Sequence, residues 1–117
     1  MAEHGPLAER YINAVNQAFA GDRTAFEGLW ADDCCVQSDG ATFNGKERWL
    51  GAIDWAFNHY DWIGQTLDSS SEADGIIAAI GTNHFGDGTK VTFGGIQQFN
   101  ADGLIVWASS SGAFPPR

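Results

Sequence analysis

The sequence predicts an α+β domain in which helices cover one face of a curved antiparallel sheet. Three observations predict it. Apolar residues recur at helical spacing as far as Tyr60, the pattern changes to alternation from Trp62 onward, and the segments between are short. The 117 residues make one domain, 1–117, long enough to bury a core of its own. Hydrophobic residues at 44% and charged residues at 18% set the chain apart from compositions that stay disordered.

The first helix runs from Pro6 to Ala20, with Leu7, Tyr11, Ala14, Val15 and Ala18 on one side. Pro6 suits its first turn, and Gly21 suits a left-handed stop. A second helix, capped by Asp22 or Thr24, carries Phe26, Leu29 and Trp30 on one side and is expected to end near Asp32 and Asp33. Cys34–Ser38 reads as a short strand and Asp39-Gly40 as a turn. Asn44 and Glu47 read as the capping box of a third helix that runs to Tyr60, with Trp49, Leu50, Ile53, Ala56 and Phe57 facing inward. Four strands follow as a meander: Trp62–Ser70, Ile76–Phe85, Lys90–Asn100 and Leu104–Gly112. The two ends, Met1–Gly5 and Pro115–Arg117, are expected to be loose.

Strand alternation separates two faces. The inner one carries Ile77, Ala79, Gly81, Asn83 and Phe85, then Val91, Phe93, Gly95, Gln97 and Phe99, then Leu104, Val106, Ala108, Ser110 and Gly112. Small residues here leave volume unfilled, while Asn83, Gln97 and Ser110 need partners, which predicts an internal cavity with a few polar groups. The outer face carries His84, Ile96, Ile105 and Trp107, and the last three form an apolar group suited to a subunit interface.

Composition and motifs restrict the function. Six Lys and Arg against fifteen Asp and Glu give a formal charge of −9, which repels nucleic-acid phosphates and anionic lipid headgroups. No apolar run approaches the ~18 residues of a membrane-spanning helix, and the first ten residues lack signal-peptide character, so a cytosolic (cytoplasmic) protein is expected. Cys34 and Cys35 are neighbours on a strand, point to opposite faces and are expected to be free thiols. His4, His59 and His84 show no metal-ligand spacing, and no phosphate loop or dinucleotide fingerprint is present, so neither metal nor cofactor is expected.

The runs Arg10-Tyr11-Ile12, Gly21-Asp22, Trp30-Ala31-Asp32-Asp33, Asn44-Gly45-Lys46-Glu47 and Gln98 to Ile105 resemble the nuclear transport factor 2-like superfamily, which includes ketosteroid isomerases and SnoaL-like polyketide cyclases. The resemblance covers nearly the whole chain. It implies a cone in which three N-terminal helices close a strongly curved, mostly antiparallel sheet around a deep apolar pocket, commonly in a dimer formed through the sheet. Ketosteroid isomerases use an aspartate base and an oxyanion hole of a tyrosine and a protonated aspartic acid. Here the base position falls on Ser38, with Asp39 beside it, and the oxyanion aspartate position on Gly95. Tyr11 stands in the matching run, and the gap-free match to the tyrosine is Ala14. The isomerase residues are therefore not retained.

The resemblance implies a homodimeric pocket protein for a small apolar molecule. It would be either a cofactor-free isomerase, cyclase or dehydratase acting on an apolar ring-containing substrate, or a non-catalytic ligand-binding or accessory protein. In the first reading Asp39 is the general base at the pocket mouth and Tyr11 a hydrogen-bond donor. In either, Ala14, Trp30, Ser38, Ile53, Phe57, Asn83, Phe93, Gln97 and Ser110 line the site, and Asn83 and Gln97 share one ligand group across adjacent strands.

Overall fold

The computed structural model describes residues 4–112, so residues 1–3 and 115–117 of the ends expected to be loose lie outside it. Its elements are α1 (Pro6–Phe19), α2 (Thr24–Glu27), β1 (Trp30–Ser38), β2 (Ala41–Asn44), α3 (Lys46–His59), β3 (Trp62–Ala73), β4 (Ile76–Phe85), β5 (Lys90–Phe99) and β6 (Ile105–Ser111). The six strands form one sheet in the order β2-β1-β6-β5-β4-β3. Only β1 and β6 run parallel; every other neighbouring pair is antiparallel. Helices on one side of this curved, open sheet make the α+β cone that the sequence predicts.

Turn chemistry sets the hairpins. Asp39 and Gly40 join β1 to β2 with φ of 49° and 87°, and Asp74 and Gly75 join β3 to β4 with 54° and 77°. Two successive positive φ angles match the twist of paired strands, and Asp-Gly tolerates them. Gly21, at φ 105°, follows α1 as the left-handed residue expected there.

Glu72 of β3 supplies the cap that α1 lacks at Gly5. Its carboxylate accepts the Ala8 backbone N–H at 2.9 Å, placing negative charge where the helix end has free donors. A Cβ on Gly5 would fall 1.4 Å from that carboxylate, so the close approach depends on glycine. His4, expected to be loose, is instead tied to β3: Nε2 donates to the Leu67 carbonyl at 3.1 Å, which turns Nδ1 towards the Ser70 hydroxyl at 2.5 Å.

The first half departs from the sequence reading in three places. α2 is a single turn, and Trp30–Asp33, expected at a helix end, opens β1, because the Leu29 carbonyl accepts the Ile105 N–H at 2.7 Å and draws this segment against β6. A parallel partner far along the chain overrides a local helical spacing. β2, not foreseen, pairs with β1 through Asp39-Gly40. Asn44 therefore ends a strand and does not cap α3; Gly45 occupies that position with no side-chain cap.

Ile105 corrects the face assignment of β6. It is fully buried, in the core with Leu29, Trp30 and Phe99, where the outer face was expected. Phe99 pairs with Ile105 but Gln98 with Trp107, so Val106 is an extra residue in the ladder and reverses the alternation. Trp107 remains on the outer face.

Candidate functional site

A cavity of about 80 Å³ lies between the sheet and the helices. One row of paired residues explains its depth: Ser70, Ala79, Gly95, Ser110 and Ser38 stand side by side on β3, β4, β5, β6 and β1. None has a large side chain, so the floor is hollow there. Above it, Ala8 and Tyr11 come from α1 and Trp49 and Ile53 from α3. Helical spacing brings each pair to one face.

Most of the expected residues meet at this cavity: Tyr11, Trp30, Ser38, Ile53, Asn83, Phe93, Gln97 and Ser110 all line it. Ala14 does not; it is buried among the core residues. Phe57 lines a smaller adjoining chamber of about 30 Å³ with Val15, Ala18, Phe19 and Phe26. Ser110 and Ser38 face each other with hydroxyls 3.4 Å apart.

Asn83 and Gln97 do not share one ligand group as expected. Asn83 pairs with Val91, and Gln97 lies six residues further along β5, about 20 Å of straight strand at roughly 3.3 Å per residue. They occupy different ends of the wall. Asn83 Oδ1 accepts two hydrogen bonds, from Trp62 Nε1 at 3.1 Å and Gln65 Nε2 at 2.8 Å. Gln65, only 7% exposed, was not foreseen, because a register shift between Trp62 and Gly64 hides which residues of β3 point inward. Its amide orientation is fixed by Asn83, which leaves Oε1 without a partner among the described residues.

At the other end the Gln97 side chain hydrogen-bonds Tyr11. Burial of the Tyr11 hydroxyl pushes its pKa to about 12, and the Gln97 bond pulls it back by less. The phenol thus stays protonated at ordinary pH and accepts from the Gln97 amide, whose Oε1 has no partner among the described residues.

Asp39 lies away from the cavity. It is exposed in the β1–β2 turn, and its Oδ1 accepts the Gly112 backbone N–H at 2.7 Å. Asp39 does not stand at the pocket mouth as expected, because the positive-φ turn directs its side chain to the end of β6. No carboxylate, imidazole, lysine or arginine lines the cavity among the described residues, and none of these residues form a cluster that could hold a metal ion.

On the outer face, Ile96 is 43% exposed and Ile80 51%. Ile96 pairs with Ser109 and Ala78, and Trp107 lies beside Gln98, so the apolar patch is real although Ile105 is not part of it. His84 faces outward too, its Nε2 3.2 Å from Thr66 Oγ1. Cys34 and Cys35 are free, Cys34 buried and Cys35 half-buried.

This architecture, a curved sheet closed by helices over a pocket, is the nuclear transport factor 2-like fold. Solved structures with it include a protein of unknown function from Exiguobacterium sp. 255-15, 20% identical over 89% of this chain and 95% of that one, with a TM-score of 0.69. A SnoaL-like family protein from Agrobacterium tumefaciens is 15% identical, covering 90% and 92%, with a TM-score of 0.72. A protein with a ketosteroid isomerase-like fold from Catenulispora acidiphila, in complex with trimethylamine, is 15% identical, covering 96% and 88%, at 0.71. No family model and no curated protein sequence matches the chain. Identities this low define the fold and leave the reaction open.

Proposed function

We propose that this protein binds a small, uncharged, mostly apolar molecule in its cavity and does not perform acid–base chemistry on it. The observation that carries this reading is the lining: aromatic and aliphatic side chains with Tyr11, Ser38, Gln65, Asn83, Gln97 and Ser110, and no group among the described residues that takes up or releases a proton near neutral pH. General acid–base catalysis needs such a group within hydrogen-bond reach of the reacting atom. Of the two readings that the sequence leaves open, the non-catalytic one therefore has the better support, with Tyr11, Trp30, Gln97 and Ser110 orienting the ligand. Proton transfer by Asp39 would require the turn to let go of Gly112.

The outer face extends the proposal to a homodimer. Ile80 and Ile96 stand in water on the uncovered side of the sheet, beside Trp107, and a second copy of the same face would bury them. The net charge of −9 makes acidic partners and anionic surfaces poor alternatives.

Native mass spectrometry of the purified protein tests the binding reading. An added mass that leaves on denaturation, from a compound recovered unchanged after incubation with the protein, is the expected result. Conversion of that compound at a rate proportional to protein, abolished in Asp39→Asn, would replace binding by catalysis.

A further inference from the structure

Four buried polar atoms belonging to cavity-lining residues have no hydrogen-bond partner among the described residues: the indole nitrogens of Trp30 and Trp49 and the amide oxygens of Gln65 and Gln97. They are two donors and two acceptors. Trp30 is 2% exposed, so its N–H has no access to bulk water. A buried polar group left unpaired is costly, and natural interiors seldom hold several in one place.

Their placement adds to this. Trp49 and Gln65, with Tyr11, Ile53 and Trp62, line both the main cavity and the smaller chamber, so the residues that carry one donor and one acceptor belong to the junction of the two. Trp30 and Gln97, again a donor and an acceptor, line the main cavity alone. Beyond the junction the smaller chamber is walled by Val15, Ala18, Phe19, Phe26 and Phe57, all apolar.

We infer that the cavity selects an uncharged ligand whose polar group both donates and accepts hydrogen bonds, a carboxamide or a hydroxyl, held at the Trp49–Gln65 junction with its apolar part in the main cavity. A carboxylate would offer acceptors only, leaving the Gln65 oxygen unpaired, and would bring a charge that no cation among the described lining residues offsets. An ammonium group would leave the Trp49 indole donor unpaired. A hydrocarbon would leave both unpaired. The inference rests on the binding reading above and narrows its ligand class.

Equilibrium dialysis of the intact protein against benzamide, benzoate and toluene tests it, because the three share one ring and differ in the polar group. The amide should bind at least about tenfold more tightly than the other two, the scale of a buried donor and acceptor both being satisfied. Trp49→Phe keeps an aromatic ring and removes the N–H, so it should lower amide affinity by roughly fivefold to tenfold and leave the hydrocarbon's unchanged. Gln65→Met should do the same, and Trp49→Phe carries the test alone if loss of the Asn83 bond unfolds the Gln65 variant. Equal binding of amide and hydrocarbon, tighter binding of the benzoate, or indifference to Trp49→Phe would overturn the inference while leaving a binding pocket in place. Failure of all three probes to bind would overturn it together with the binding reading.

Discussion

The ring of Phe93 lies across Gly81 on the neighbouring strand, so close that a Cβ on Gly81 would fall 2.6 Å from its Cζ. The same Cβ would stand 2.5 Å from the Thr66 carbonyl on the other side. Phe93 is thereby laid flat along the cavity wall by the absence of a side chain on its partner. Gly81→Ala should cost about 1–3 kcal/mol, the range for overpacking a filled site. Phe93→Leu in the same chain should restore only part of it, because the Thr66 backbone cannot move aside as a ring can. Urea denaturation of the two single variants and the double variant measures this, and an unchanged midpoint for Gly81→Ala would show that the ring does not rest there.

Asp39 can be assigned to structure by substitution. Asp39→Ala removes the hydrogen bond to Gly112 and puts alanine at a φ of 49°, so it should destabilise the protein by about 1–2 kcal/mol. Ligand affinity measured by dialysis should not change. A large loss of affinity in a folded Asp39→Ala protein would place this carboxylate in the site after all.

Tyr11 predicts how stability responds to alkali. Its folded pKa of about 12 lies above the ordinary tyrosine value near 10, so the folded state holds this proton more tightly than the unfolded chain does. Its contribution is fully present below pH ~10 and is lost as pH rises through that value towards ~12, by an amount on the order of 2 kcal/mol. Tyr11→Phe should flatten that part of the stability curve. A parent protein whose stability is constant through that window would mean that the phenol is solvated.

The outer face makes a prediction about mass. If Ile80 and Ile96 meet a second copy, Ile80→Glu and Ile96→Glu should shift sedimentation from dimer to monomer, since a charge buried without a partner costs several kcal/mol of effective penalty. Both side chains are exposed in the single chain, so the fold should survive the change. A parent protein that sediments as a monomer at high concentration would contradict the dimer.

The legible parts of the sequence were those in which neighbours in the chain settle the geometry. Asp39-Gly40 and Asp74-Gly75 announce their turns because few other pairs accept two positive φ angles, and Tyr11, four residues before Val15, shows which side of α1 meets the sheet. The illegible parts depend on distant partners. Leu29 and Trp30 continue a helical spacing, yet the bond from Ile105 to the Leu29 carbonyl makes this segment the start of a strand. Val106 is an extra residue only by reference to β5, so alternation alone sends Ile105 to the wrong face. Gln65 was missed for the same reason, lying between register shifts at Trp62/Gly64 and Leu67/Ser69. One polar residue of the site, Gln65, thus sits on the least regular strand.

The central proposal is that an uncharged ligand binds a cavity in which no lining group among the described residues titrates between weak acid and weak base. Calorimetric titration of the protein with uncharged benzamide from about pH 5.5 to about pH 9 tests it directly, since a carboxylate raised for catalysis or a histidine would change its charge within that window. The account predicts one affinity across the range, and the same affinity for Asp39→Asn. A step of about tenfold or more in the parent, absent from Asp39→Asn, would put a working base in the cavity and contradict it.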